Sequence, residues 1–339
     1  MELTRKDTKM LQGLSVLAML CLHLFDRTDP AGLYEPFARF GEVTITYMLG
    51  QLSDFCVMGF AFCTGYVHYQ LKDEDYFFKK RLKGLLSLLI TYWVVLVVFS
   101  VVGLLTGKND IIPANVGTFV LHALLLNNSY NGAWWYMLTY ALLVLFSPLL
   151  MKVVKRYHWC IVLTIGFVIY CAGYYLRFGG VQGSFVLDKL GPFMTTLFEY
   201  LIGAICAKCL WFTHLDGLTD KLPKLVRIAI ASILWLGMLV GHSMVVRSLF
   251  IAPLTGLCVF SLFALWRKPE WIEKFFLFVG NHATNIWLVH MFFYSKMFPN
   301  LVFVAKYPIP IYLFMLGLRL GTSLILTFIQ KPLRKLVLH

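Results

Sequence analysis

The chain has 339 residues, of which 59% are hydrophobic, 16% aromatic and only 14% charged, with a formal net charge of +13. A soluble domain is about 45–50% apolar and about 25% charged, so this excess has no place in a soluble core and points to an integral membrane protein. The positive charge is distributed as a membrane topology would place it, which excludes nucleic acid as the partner it would otherwise suggest.

The eight cysteines (Cys21, Cys56, Cys63, Cys160, Cys171, Cys206, Cys209 and Cys258) all fall in apolar runs and read as small buried hydrophobes. Cys206 and Cys209 have C-x-x-C spacing, but no second Cys or His pair completes a ligand set, so no metal is expected.

A helix needs about 20 mostly apolar residues to cross a bilayer. The first such run, Met10–Phe25, follows Arg5, Lys6 and Lys9 and has no small-residue cleavage site after it, so it reads as a retained helix. Ten runs qualify: roughly 10–26, 44–69, 84–105, 133–151, 159–176, 191–210, 226–244, 248–266, 276–297 and 309–329. Val116–Leu126 is too short to cross; it is expected at the interface, leading into the polar turn Asn127–Gly132. With the N-terminus in the cytoplasm, 21 of the 30 basic residues fall on the inside, eight on the outside and Arg319 within the last span. That asymmetry fits an even number of spans with both termini cytoplasmic. The expected fold is therefore an all-α polytopic bundle of about ten transmembrane helices, forming one domain over residues 1–339.

Five ionisable groups sit well inside spans: His23, Asp54, Glu199, His290 and Arg319. His23 lies about 20 Å along its helix from Met10, and His290 about 21 Å along from Phe276. Both helices run outward, so the two histidines reach similar depth. An isolated charge at such depth costs at least ~2.5 kcal/mol, so pairing or a wet cavity is required. One reading is a polar cavity with a histidine base oriented by a carboxylate. The other is pairs that bridge neighbouring helices.

Two further stretches carry chemistry. Tyr76–Lys83 packs Lys79, Lys80, Arg81 and Lys83 at the start of a helix, either as positive-inside anchors or as a grip on phosphate. Asn127–Tyr136 brings Asn127, Asn128, Trp134 and Trp135 to an outer membrane edge, either as interface anchors or as a sugar-binding patch.

Over nearly its whole length the chain resembles the membrane acyltransferase-3 family, in particular its compact bacterial members that acetylate exported polysaccharides. The resemblance rests on Lys9, Gly13 and His23 in the first helix; Phe62–Tyr66 in place of an aromatic FxxSG[FY] element, with Thr64 for serine; Lys79–Lys83 in place of R-x-x-R; Trp134–Tyr136 opening a helix that reaches Pro148; and Gly280–His290 with Trp287, Leu288 and His290. Arg81 matches the first arginine of R-x-x-R, Gly84 stands where the second belongs, and Ala283 replaces a serine of the late element.

The resemblance implies transfer of an acyl group, usually acetyl, from cytoplasmic acyl-coenzyme A to a hydroxyl. The acceptor would be a polysaccharide or lipid-linked glycan, and the compartment the bacterial cytoplasmic membrane. Lys79, Lys80, Arg81 and Lys83 would hold the phosphates of acetyl-coenzyme A, and His23 would be the general base. Asp54 or Glu199 would orient it, His290 would position substrate or stabilise the oxyanion, and Arg319 would bind substrate or neutralise a carboxylate. No soluble domain follows the last span, so the chain is expected to act alone, as a homo-oligomer or with a separate partner. The rival class is a transporter of lipid-linked sugars or small solutes, in which midplane charges are equally at home; it usually shows inverted repeats, which this sequence lacks.

Overall fold

Helix α1 (Arg5–Phe25) starts at a capping box. The Asp7 N–H donates to Thr4 Oγ1 at 3.2 Å, and the Thr4 N–H donates to Asp7 Oδ2 at 2.8 Å; these bonds satisfy backbone donors that a helix start leaves open. The computed structural model describes residues 2–30, 32–71, 74–180, 184–245 and 248–338. Lys72 and Arg247, counted above for topology, lie outside these residues, and the side chains of Tyr76–Lys83 are described from Phe78 onward.

After α1 come a two-residue-per-strand hairpin, β1 (Arg39–Phe40) and β2 (Val43–Thr44), then α2 (Ile45–Leu52), a 3-10 turn over Ser53–Phe55 and α3 (Cys56–Gln70). The chain continues through α4 (Glu74–Leu105), the short α5 (Val116–Ala123), α6 (Trp135–Arg156), α7 (Trp159–Phe178) and α8 (Phe185–Lys208). It closes with α9 (Trp211–Thr219), α10 (Lys224–Met244), α11 (Ala252–Leu265), α12 (Glu270–Met291), α13 (Pro299–Phe303) and α14 (Pro308–Leu338). The molecule is thus an all-α helix bundle.

Eight of these segments are long and apolar enough to cross a membrane among the described residues. The other two expected spans are α11, which has 14 residues, and α12, which is long enough but too polar to join them. α5 has eight residues, as expected of a segment too short to cross.

α1 stands at the centre, packed by α2, α3, α12 and α14. Its closest contact is with α12, backbone against backbone. A Cβ on Gly13 would sit 2.4 Å from the Phe276 carbonyl oxygen, and one on Gly280 would sit 2.2 Å from that of Lys9. Two facing glycines are what permit that approach, and it locks the two histidine-bearing helices in register. At the N-terminal face, Lys6 pairs with Glu273, and Glu2 accepts from Tyr66 and from Thr213 Oγ1, tying α1, α3, α9 and α12 together. α10 is the opposite case. Only 6% of its span is buried, against 72% for α8.

Candidate active site

The end of α12 departs from regular geometry. Residues Phe292–Lys296 form a π-helical turn, with the Met297 N–H donating five residues back to the Phe292 carbonyl at 2.8 Å. π-turns recur at functional sites because they break the hydrogen-bond ladder. Here the carbonyls just before the turn take side-chain donors. Leu288 O accepts Asn131 Nδ2 at 2.8 Å and Trp134 Nε1 at 2.9 Å, and His290 O accepts Arg319 Nη2 at 2.9 Å.

Around this turn His23, His290, Tyr294 and Arg319 come together from α1, α12 and α14. The His23 and His290 ring centroids are 4.7 Å apart, and Tyr294 stacks on them at 5.7 Å and 6.1 Å. His290 and Arg319 are fully buried, whereas His23 is partly exposed. His290 Nδ1 lies 2.5 Å from the Trp287 carbonyl oxygen. A carbonyl can only accept, so Nδ1 carries the proton and Nε2 presents its lone pair. That Nε2 has no hydrogen-bond partner among the described residues, nor do Nε and Nη1 of Arg319. Buried groups left this way cost about 1–3 kcal/mol each, more when charged, and a site that awaits a polar guest is the physical reason to keep them. Tyr294 was missed in the sequence. Its only signal was its position one helical turn beyond His290.

The carboxylates are elsewhere, which corrects the expectation that Asp54 or Glu199 orients His23. Among the described residues neither is hydrogen-bonded to it. Asp54 lies on the 3-10 turn between α2 and α3, where the change of helix type swings it toward α10. There Asp54 Oδ1 meets His242 Nε2 at 3.1 Å, and His242 Nδ1 meets Thr255 Oγ1 of α11 at 3.5 Å. All three side chains are at least 95% buried. Glu199 belongs to the α7–α8 interface. Its Oε2 has no hydrogen-bond partner among the described residues, and Arg177 of α7 donates to Thr195 one turn away at 3.2 Å.

The basic stretch divides in two. Lys79, Lys80 and Lys83 are exposed, whereas Arg81 turns into the bundle and donates from Nη1 to Ser147 Oγ at 2.7 Å. The four cations therefore do not form a single grip. The polar space on this face is a cavity of about 240 Å³ between α1, α3, α4, α6, α12 and α14. Its wall includes Lys9, Thr64, Gly84, Tyr136, Trp287 and Arg334. Lys9, Thr64, Tyr136 and Trp287 are positions on which the family resemblance rests, and Gly84 is the position where the second arginine of R-x-x-R is missing. Arg334, read in the sequence only as a topology cation, donates to Thr91 and to Gln330 Oε1 at 3.4 Å, and its buried Nε has no partner among the described residues. The Tyr136 hydroxyl, also in the wall, is likewise without a partner among the described residues. Lys9 and Arg334 share this cavity, so the start of α1 and the end of α14 lie on one face.

The expected sugar patch is mostly occupied by the fold itself. Trp134 is 3% exposed, with Tyr92 and Phe292 packed edge-on at 4.7 Å and 5.6 Å, so its faces are not open to stack a sugar. Trp135 is partly exposed and lies under the Arg177 guanidinium at 4.9 Å. Asn127 accepts the Ser129 N–H at 2.9 Å, and Asn128 donates to Gly132 O at 3.4 Å, so both shape the local turn. Asn131 and Trp134 are the residues of this stretch that reach the site, both through the Leu288 carbonyl.

No curated protein and no solved structure shows significant similarity to the chain. A family profile described as an acyltransferase domain matches residues 8–328, nearly the whole length. It takes in both histidine-bearing helices, the cavity wall up to Trp287 and the buried Arg319. This multi-pass membrane protein belongs to the acyltransferase-3 family.

Proposed function

We propose that the protein moves an acyl group, most simply acetyl, from acyl-coenzyme A on the cytoplasmic face to a hydroxyl of an exported polysaccharide or lipid-linked glycan. The observation that carries this reading is the cavity. Five positions of the family pattern, drawn from five helices, converge on one polar space, and Trp287 in its wall lies about 4.5 Å along α12 from His290. The charge bias supports a cytoplasmic location for the face bearing Lys9 and Arg334, the side on which acyl-coenzyme A is found.

In this reading Lys9 and Arg334 hold the donor's phosphates in the cavity. Lys79, Lys80 and Lys83 raise the local concentration of the anion from outside, and Arg81 braces α4 against α6. The thioester lies between the cavity and the histidine pair. His23, the accessible member, takes the proton of the acceptor hydroxyl as its oxygen attacks the thioester carbonyl. His290 has its Nδ1–H committed to Trp287 and cannot donate from Nε2, so it serves as an acceptor for a neighbouring hydroxyl of the glycan. The open N–H groups of Arg319 are the donors for the oxyanion. The tetrahedral intermediate then expels the thiolate. The C–S bond breaks, the ester C–O bond remains, and the proton held by His23 leaves with the free thiol. No carboxylate is used, which replaces the triad-like arrangement expected for Asp54 or Glu199.

The test is labelled acetyl-coenzyme A with the purified protein in lipid nanodiscs. Release of coenzyme A, dependent on His23 and Arg319 and increased by a glycan acceptor, is the expected result. Absence of both donor binding and coenzyme A release would end the reading.

A further inference from the structure

The loosely packed α10 bounds a second and larger space. A groove of about 880 Å³ runs between α10, α11, the start of α12 and α1, away from the histidine pair. Its lining is sorted by depth. Every polar or charged residue in it, namely Asp216, Thr219, Asp220, Lys224, Arg227 and Arg267, belongs to the end of α9, the turn after it, the first turn of α10 or the segment just after α11. All the remaining lining is apolar and includes Leu14, Ile228, Ala231, Trp235, Val259 and Phe276. At the mouth Asp220 is shared between Arg267 at 2.9 Å and Arg227 at 3.5 Å. Three cations thus face two carboxylates, and Lys224 is exposed at the rim.

The depth is equally telling. From Lys224 at the mouth to Trp235 is about 16 Å along α10, or half of a hydrocarbon core about 30 Å thick. An apolar groove does not hold water well, and at this depth the bilayer supplies hydrocarbon chains instead. The sides of α10 turned from the groove are apolar too, with Leu225 and Ile233 at 80% and 68% exposure.

We propose that this groove holds one glycerophospholipid of the cytoplasmic leaflet. Its acyl chains lie along Leu14, Ala231 and Trp235, and its phosphate meets Lys224, Arg227 and Arg267. The lipid fills the space that side chains leave between α10 and the catalytic helix α1, so it acts as a structural ligand of the bundle. The sorted lining, the surplus of cations at the mouth and the one-leaflet depth all argue for this occupant over a protein partner.

The experiment is native mass spectrometry of the detergent-purified protein after exchange with phosphatidylglycerol. The expected spectrum shows one retained lipid per chain. Ala231→Trp, which fills the groove, lowers retention about tenfold, while Ile233→Trp on the bilayer side of α10 leaves it unchanged. Lys224→Gln with Arg267→Gln weakens phosphatidylglycerol more than phosphatidylcholine. Equal retention by the Ala231 and Ile233 variants, or displacement of the lipid by detergent with no preference for phosphate, would overturn the proposal. Because lipid is read by mass, the result stands whether or not the acyl donor has been assigned correctly.

Discussion

Two of the buried histidine clusters in this bundle, Asp54–His242–Thr255 and His23–His290–Arg319, are built on opposite terms. In the Asp54–His242–Thr255 chain both ring nitrogens of His242 have partners and the carboxylate has a cation-capable neighbour. In the His23–His290–Arg319 cluster no carboxylate is hydrogen-bonded and one imidazole lone pair is open among the described residues, and the guanidinium spends one N–H on a backbone carbonyl. A satisfied network rigidifies helices, whereas an unsatisfied one is tolerable only where a substrate completes it. The comparison separates structure from chemistry more sharply than the residue types do, since both clusters offer a histidine beside a charge.

The largest expected effect lies at the open cluster. Arg319→Met should lower acyl transfer by about 10²–10³-fold, the usual worth of an oxyanion donor. It should also raise the melting temperature, because an under-satisfied buried charge is removed. Rate by coenzyme A release and Tm by scanning fluorimetry would then move in opposite directions.

The closed cluster should answer the other way. His242→Ala leaves Asp54 buried without its imidazole and should cost about 3 kcal/mol of stability. Activity per folded molecule should change less than threefold. A large fall in specific activity with Tm intact would dissolve the distinction between the clusters.

Smaller effects belong to the cytoplasmic face. Arg334→Gln should raise KM for acyl-coenzyme A about tenfold, the equivalent of ~1.4 kcal/mol, with kcat little changed. Gly84→Arg should restore part of that loss, because a Cβ at Gly84 meets nothing within 4 Å and the position faces the same cavity. Smallest is the combined Lys79→Gln, Lys80→Gln and Lys83→Gln variant. It should raise KM two- to threefold at low salt and leave it unchanged near 0.5 M salt, as screened surface charges behave.

Much of this was legible in the sequence. The helix-bundle class followed from apolar content and run length, and the pairing of α1 with α12 followed from two histidines at matching depth in parallel spans. What stayed hidden depends on direction and not on residue type. Asp54 was visible as a buried acid, but the 3-10 turn that aims it at His242 has no periodic signature. Arg81 and Lys80 are adjacent in the chain, yet one faces the bundle and the other faces out. Trp134 reads as an interface anchor until the π-turn of α12 exposes a carbonyl for its indole. Arg334, near the end of the chain, looked like any positive-inside cation because a cavity shared by six helices leaves no local mark.

The most direct measurement sets His23→Ala beside His242→Ala in one single-turnover assay of acyl-coenzyme A cleavage, on protein shown to be folded by its melting curve. His23→Ala is expected to keep its Tm within a few degrees and lose roughly 10²–10⁴-fold in rate, the range for a positioned general base, while His242→Ala loses stability and keeps its rate. A His23→Ala protein that still cleaves at the parent rate, or a His242→Ala protein that folds normally and does not cleave, would contradict this expectation.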